Sequence, residues 1–216
     1  MAKSASVIGN VITARVSIQG TRALLWHHFG IDSIPLEKQE RTGVSGNDPE
    51  EWRRTVLMDS NRQLYLLKSY LFRCIRDSAP YIKRGKAFQT AVAATLQIVE
   101  DIILIPDRYV PQKPVQVEER QIFEDTPPTY VLVAGVKNPS TNRRNIRYRV
   151  ATSPGWFCNF TMMWDKTVIS RGEMESLCLT AGQLVGVGDG RSIGYGRFLV
   201  KEFEVQTSVA TSADTS

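Results

Sequence analysis

This sequence of 216 residues has no long apolar run, no closely spaced pair of cysteines and few histidines. The longest apolar run, around 96–105, is interrupted by Glu100 and Asp101, so no segment reaches the roughly 18 residues of a membrane-spanning helix. The first residues lack the apolar core of a secretory signal. The three cysteines are widely spaced and form no CxxC pair, which favours a reducing environment. We therefore expect a soluble, cytoplasmic protein.

Residues that hold metals or cofactors are equally few. The two histidines, His27 and His28, are adjacent, and neither they nor the cysteines have the spacing of zinc ligands. The glycine-rich segment 186–196 lacks the Gly-Lys-Ser/Thr of a Walker A loop. It also follows a predicted helix and leads into a strand, the reverse of a dinucleotide-binding fingerprint. We expect neither a cofactor nor a metal.

Positive charge is concentrated in two stretches of the chain. Lys and Arg total 27 against 22 Asp and Glu, which gives a net charge of +5 and a pI near 9.2. One stretch, 53–86, is rich in Lys and Arg, and the other, 137–149, contains no acidic residue. Two separated basic stretches favour a groove for a polyanion, although a solvated charged face explains them equally well.

The residue patterns predict an α+β domain. Alternating β-branched residues predict strands at 7–19, 129–136, 145–151, 156–169 and 198–205, the second and third of which form a basic hairpin. Helical spacing predicts helices from Leu64 to Pro80, from Ala87 to about Ile103, and after a capping box of Ser170 and Glu173. Helices on one face of an antiparallel sheet define the α+β class.

We predict a single domain over residues 1–205. Within it, 31–60 is predicted to be an insertion or long loop, and the proline-rich stretch 107–128 an extended arm. The Ser-, Thr- and Ala-rich tail 206–216 is predicted to be disordered.

The segment from Gly186 to Gly196 has five glycines in eleven residues. Free N–H groups of such a segment can bind a phosphate, and Arg191 and Arg197 add positive charge. A tight connection between helix and strand, packed against the sheet, is the structural alternative.

The spacing of these glycines resembles the glycine-rich loop signature of the repeat-associated RNA-binding (RAMP) superfamily of CRISPR systems. That signature is Gly-apolar-Gly, five residues including a basic one, and a second Gly-apolar-Gly near the C-terminus, which here are 186–188 and 194–196. A second similarity, to backbone subunits of CRISPR effector complexes, lies at Asp59, 63–67 and the following Lys68, Ser69 and Arg73. The small Pro-Gly-Ser-Ser that opens the family's helix is here Leu67-Lys-Ser-Tyr70.

The resemblance implies a ferredoxin-like, RNA-recognition-like core and a noncatalytic backbone subunit that oligomerises along a guide RNA in antiviral defence. Its partners would be the guide RNA and its complementary target, copies of itself and other effector subunits. A projecting hairpin, or thumb, would wedge between bases, and both the basic hairpin and the 107–128 arm are candidates. The residues expected to contact nucleic acid are Lys68, Ser69, Arg73, Lys137, Arg143, Arg144, Arg147, Tyr148, Gly188, Gly190, Arg191, Gly194, Gly196 and Arg197.

Two alternatives remain open from the sequence. The superfamily includes guide-RNA-processing endoribonucleases, and His27 or His28 with a nearby arginine has the chemistry of a general base and a phosphorane-stabilising cation. Packing beside Trp26 and Phe29 is the structural explanation of the same histidines. The other alternative is a structural assembly protein, for example of a virus, whose basic hairpin contacts nucleic acid or a neighbouring subunit.

Overall fold

The computed structural model describes residues 9–31, 48–122, 126–137 and 144–206, without the side chains of Lys137 and Arg144. These residues form a mixed structure of helices with antiparallel and mixed sheets, so the predicted α+β class is confirmed. The strands are β1 Val11–Gly20, β2 Leu24–Leu25, β3 Gln63–Leu67, β4 Gln97–Ile98, β5 Ile102–Tyr109, β6 Gln116–Glu118, β7 Thr129–Lys137, β8 Arg144–Thr152, β9 Phe157–Asp165 and β10 Phe198–Gln206. The α-helices are α1 Glu51–Thr55, α2 Lys68–Ile82, α3 Lys86–Thr95 and α4 Arg171–Thr180.

The central sheet has the strand order β10-β1-β9-β4, and each neighbouring pair is antiparallel. Helices α2 and α3 lie between β1 and β4 in the chain, and α4 lies between β9 and β10. Alternate residues of β1, namely Ala14, Val16 and Ile18, are buried in the core with residues of α2 and α4. The helices therefore cover one face of this sheet, while the residues between the buried ones, such as Arg15, lie on its other face.

The basic hairpin belongs to a second sheet with the order β2-β8-β7-β6. Strands β7 and β8 pair antiparallel from Thr129 opposite Thr152 to Lys137 opposite Arg144, which confirms the predicted hairpin. Strand β6 adds to β7 in the parallel direction. Part of this sheet has its own small apolar cluster, which includes Leu25, Tyr130 and Leu132.

The helix predicted from Ala87 to Ile103 is wrong in its second half. Helix α3 ends at Thr95, and the chain continues as β4 and then β5. Exposure alternates along β5, with Ile103 and Ile105 buried, so the two-residue period of a strand prevails over the apolar run. Between these strands, both carboxylate oxygens of Glu100 accept the Thr161 N–H, at 3.0 and 2.8 Å.

The helix predicted from Leu64 begins four residues later, because 63–67 is strand β3, paired with β5 in a third sheet. Pro80 does not end α2, which continues to Ile82. Proline has no N–H to donate, so one carbonyl of the preceding turn is left without a partner in the helix. Because Pro80 is exposed, water can donate to that carbonyl instead.

Two other predicted segments contain more regular structure than expected, and a third contains less. The 107–128 arm includes the end of β5, then β6, and the 3-10 turn Glu119–Gln121. The 31–60 insertion includes α1, which buries Trp52, whereas 32–47 lie outside the described residues, as does the tail from 207. The strand predicted at 156–169 is shorter, since β9 ends at Asp165.

The capping box is confirmed at the start of α4. The Ser170 hydroxyl accepts the Glu173 N–H at 3.4 Å, and the Glu173 carboxylate accepts the Ser170 N–H at 2.9 Å. Met174, Leu177 and Cys178 are buried, as the helical spacing predicted. In the part of the chain that the structure describes, no helix is both long and apolar enough to cross a membrane.

Candidate nucleic-acid interface

The glycine-rich loop, residues 186–197, joins α4 to β10. Helix α4 continues into a π-helical turn, Ala181–Val185, which ends at Gly186. The loop lies along β2, where the Asp189 N–H donates to the Leu25 carbonyl at 2.9 Å. The Val187 N–H donates to the Gly196 carbonyl at 2.9 Å, so the two ends of the loop are bonded to each other.

The glycines of this loop serve two different purposes. A Cβ at Gly196 would lie 1.8 Å from the Val187 carbonyl oxygen, so only glycine allows the two ends to touch there. Gly194 has a φ of +95° but open space where its Cβ would be. It follows the exposed 3-10 turn Arg191–Ile193, which we call the outer turn. The predicted packed connection thus explains the ends of the loop, whereas the outer turn is accessible.

Two hollows flank the glycine-rich loop where it meets α2. The small hollow has a volume of about 160 Å³ and is lined by His27, Tyr70, Arg73, Gly188, Asp189 and Arg191. The large hollow has a volume of about 540 Å³ and is lined by Asp77, Tyr81, Leu184, Val185, Gly188, Asp189, Gly190, Arg191, Ser192 and Arg197. Arg191 and the backbone of 188–189 separate the two hollows, so a ligand in one lies next to a ligand in the other.

Arginine side chains dominate the charge around these hollows. Arg191 lies 3.4 Å from the Asp77 carboxylate, which also pairs with Arg76 at 2.7 Å. Asp189 pairs at 2.8 Å with Arg149, whose side chain is only 6% exposed. With Arg73 and Arg197, five arginines surround two aspartates, an excess of three positive charges.

Two of these arginines keep bonding capacity for a ligand. No carboxylate of the described residues pairs with Arg73, which is exposed at the small hollow. One terminal nitrogen of Arg197, Nη1, is buried without a hydrogen-bond partner among the described residues. An arginine without a carboxylate partner can donate to phosphate oxygens in the bidentate manner that suits the guanidinium group.

The structure brings five of the predicted contact residues together at the two hollows: Arg73, Gly188, Gly190, Arg191 and Arg197. Lys68 and Ser69 line neither of them, and the Lys68 ammonium group pairs with Asp101 at 2.5 Å. Gly196 is buried. Gly194 lines a separate hollow with Arg22 and Tyr195. Arg143 lies outside the described residues, as do the side chains of Lys137 and Arg144.

The described part of the hairpin is less suited to nucleic acid than its composition predicted. Arg147 forms an ion pair with the Glu51 carboxylate, which also accepts the Tyr148 N–H at 3.3 Å. Burial disfavours the charged form of Glu51, but bonds from His27 and Tyr148 and the charge of Arg147 outweigh it and hold the pKa of Glu51 below its usual value. The Arg147 charge is therefore already compensated within the chain.

Tyr148 requires a correction. Its residue is only 7% exposed, and it packs in the main apolar core, opposite Val133 on the neighbouring strand. A buried ring cannot stack on a base, so the expectation that Tyr148 contacts nucleic acid is wrong in this structure. Neighbouring strand residues point to opposite faces, which is why Tyr148 is in the core although it lies between two arginines.

The two histidines lie near the small hollow, in different surroundings. His27 lines the hollow, and its Nε2 lies 3.2 Å from the Glu51 carboxylate. His28 Nδ1 lies 3.2 Å from the Tyr70 hydroxyl. His27 thus combines a carboxylate partner with the arginines of the same hollow. Among the described residues, no group of three or more His, Cys, Asp and Glu could hold a metal ion.

Sequence reasoning missed Tyr70, Asp77 and Tyr81 as residues of the hollows. They follow a helical period with Arg73, at positions 70, 73, 77 and 81, so one face of α2 presents all four. The pattern was present in the sequence, but the helix was assigned from its apolar face alone.

Comparison with known proteins gives limited information. No family model and no curated protein matches this sequence. Among solved structures, the chain is similar to a chain in the cryo-EM structure of the Type III-B Cmr-beta bound to cognate target RNA, with 13% sequence identity and a TM-score of 0.49. The similarity covers 91% of this chain and 61% of that chain, so this chain spans about three fifths of the other's length. With so low a TM-score, the function has to be argued from the site itself.

Proposed function

We propose that this protein is a noncatalytic RNA-binding backbone subunit of a CRISPR-type ribonucleoprotein. It holds single-stranded guide RNA along the face formed by α2 and the glycine-rich loop. The observation on which this rests most is that the RAMP-like glycine signature meets the first basic stretch, with Arg191 and Arg73 lining the same hollow. Its partners in this role are the guide, its complementary target, further copies of the chain and other effector subunits.

The topology of the central sheet supports this proposal. In a ferredoxin-like unit, two β-α-β segments interlock so that the strands, in chain order, lie as 4-1-3-2. Strands β1, β4, β9 and β10 have this order, with α2 and α3 in the first crossover and α4 in the second. The glycine-rich loop then lies just before the last strand of the unit, as the resemblance implies.

The chemistry of the face suits a ligand bound by its backbone rather than by its sequence. Arginines around a groove bind phosphates whatever the base, and single strands are held largely by such contacts and by stacking. The excess of three positive charges at the hollows supplies the electrostatic attraction. Binding of this kind weakens as salt increases, because counterions are released from the nucleic acid.

The test is purification in moderate salt, followed by size-exclusion chromatography before and after ribonuclease treatment. We expect a high ratio of absorbance at 260 to 280 nm and a large species that ribonuclease reduces to single subunits. Fluorescence anisotropy with unrelated single-stranded RNAs should then give similar affinities. A large species that nuclease and high salt leave intact would instead indicate a structural assembly protein.

A guide-processing endoribonuclease is a second candidate because of one observation. His27 contacts Glu51 and lines the hollow with Arg73 and Arg191, an arrangement of oriented base and cations that suits attack by a 2′-hydroxyl on phosphate. Cleavage of a repeat-derived RNA hairpin that His27→Ala abolishes, and that His28→Ala leaves intact, would favour this function over the first.

A further inference from the structure

The large hollow has an exposed aromatic ring at its rim, which the proposed contacts with phosphate do not use. Tyr81, in the last turn of α2, is 63% exposed, although it is a large apolar ring. Leu184, from the π-helical turn, is exposed in the same hollow. Tyr81 and Leu184 thus supply apolar surface to a hollow whose lining is otherwise mainly polar.

The hollow is also lined by groups suited to a phosphate. Arg191 and Arg197 both line it, and Arg197 Nη1 is buried without a hydrogen-bond partner among the described residues. Asp77 also lines the hollow, but its carboxylate is engaged by Arg76 and Arg191. The hollow therefore combines apolar and cationic lining residues.

A ligand that matches both the apolar and the cationic lining residues has a flat apolar part joined to a phosphate. The volume of about 540 Å³ lies within the range of small-molecule sites and exceeds what a phosphate alone would fill. A nucleotide has this form, since every base has a π-face and stacks on aromatic side chains regardless of its identity.

We propose that the large hollow binds one nucleotide of single-stranded RNA, with its base stacked on Tyr81 and its phosphate bound by Arg191 and Arg197. This inference rests on the proposed RNA-binding function and adds to it a stacking position on each subunit. The small hollow, with Arg73, then receives the neighbouring phosphate, because Arg191 lies between the two hollows.

The experiment uses the full chain and a single-stranded RNA that contains the fluorescent base 2-aminopurine. Four proteins are compared: wild type, Tyr81→Leu, Tyr81→Phe and the control Tyr109→Leu. Tyr109 is 49% exposed on β5 and lines neither hollow, so it matches Tyr81 in type and exposure. Both tyrosines are exposed, and melting temperatures check that all four proteins are folded.

We expect Tyr81→Leu to weaken RNA binding roughly 5- to 150-fold, the range for loss of one base–aromatic contact. Its quenching of 2-aminopurine should fall, whereas the slope of log Kd against log salt should stay unchanged, because stacking releases no counterions. Tyr81→Phe keeps the ring and should bind like wild type within about twofold. Tyr109→Leu should have no effect.

The outcomes separate this inference from the function on which it rests. A wild type that binds RNA, with Tyr81→Leu binding equally well, would overturn the stacking position and leave the RNA-binding function standing. An equal loss in Tyr81→Phe would assign the effect to the hydroxyl and contradict stacking. A wild type that fails to bind any single-stranded RNA would overturn both.

Discussion

The arginines at the α2–loop face and those of the β7–β8 hairpin differ in what surrounds them. At the α2–loop face, Arg73 and Arg191 line a hollow, and no carboxylate of the described residues pairs with Arg73. On the hairpin, Arg147 is paired with Glu51, and Arg149 is buried against Asp189. The first set lines a surface hollow, although Arg191 also pairs with Asp77, while the second set joins the hairpin to α1 and to the glycine-rich loop.

This difference shows that local charge density along the sequence does not predict which arginines are left without a carboxylate partner. The hairpin has the purer basic composition, yet both of its described arginine side chains are compensated within the chain. Whether an arginine is compensated depends on the position of a carboxylate that is distant in sequence, such as Glu51 for Arg147 and Asp189 for Arg149. The helical period of α2, which the sequence analysis used only for its apolar face, also gathers several polar and aromatic side chains on one face.

The largest expected effect comes from breaking the α2–loop face through its backbone. Gly196→Ala places a Cβ against the Val187 carbonyl and should lower the free energy of unfolding by about 3 kcal/mol or more. In Gly194→Ala, in the same loop, the added Cβ meets no neighbour. The free energy of unfolding should therefore fall by only about 1 kcal/mol, because the φ at this position is positive. Urea denaturation measures both, and equal losses would contradict the division of the loop into packed ends and an open outer turn.

A smaller effect should distinguish the two sets of arginines directly. Replacing Arg73 and Arg191 together by alanine should weaken binding of unrelated RNAs at least about tenfold and lower the salt slope by about 1.4, at roughly 0.7 for each phosphate contact. Arg147→Ala should change affinity by less than about threefold, since Glu51 already compensates this charge. Anisotropy titrations over a range of salt concentrations are the measurement. A greater loss in Arg147→Ala would reverse the assignment.

The ion pair that holds the hairpin should be visible in the dependence of stability on pH. The pKa of Glu51 is lower in the folded protein than its unfolded value near 4.5. The stabilisation that Glu51 gives to the folded state is therefore fully present at pH values above 4.5 and is lost as the pH falls through the folded pKa. Glu51→Gln should cost roughly 1 to 2 kcal/mol at neutral pH and less in acid. Urea midpoints at pH 7 and pH 3 test this. A constant difference between wild type and variant would contradict it.

The smallest effect is expected for Lys68→Ala. Lys68 is exposed, pairs with Asp101 and lines neither hollow, so stability should change by less than about 0.5 kcal/mol. RNA affinity should stay within about twofold of wild type. A tenfold loss in the same titration would extend the RNA path to the start of α2, as the sequence resemblance implies.

Local patterns predicted the parts of the fold that depend on local interactions. Alternation and a basic turn predicted the hairpin, and residue types at fixed spacing predicted the capping box of Ser170 and Glu173. The stretch 96–105 was misassigned because an apolar run fits a buried helix and a strand equally well. Its strand structure depends on pairing with β3 and β9, which no local pattern reveals.

The candidate site was predicted in part for the same reason. Glycine spacing led to the loop, and charge led to Arg73, Arg191 and Arg197. The burial of Tyr148 and the pairing of Arg147 depend on tertiary contacts across the second sheet, with β7 and α1. Tyr81 was missed because the predicted helix ended at Pro80, whereas α2 continues to Ile82 and so includes Tyr81.

The carboxylate of Glu100 has a consequence for how copies of this chain can associate. Strand β4 is only two residues long, and beyond it Glu100 occupies the Thr161 N–H at the edge of β9. An approaching strand would have to displace a charged acceptor before it could pair there, which is how natural sheets resist edge-to-edge aggregation. At this edge the protein is therefore protected from uncontrolled polymerisation into a continuous sheet, and copies of the chain would have to associate through other surfaces.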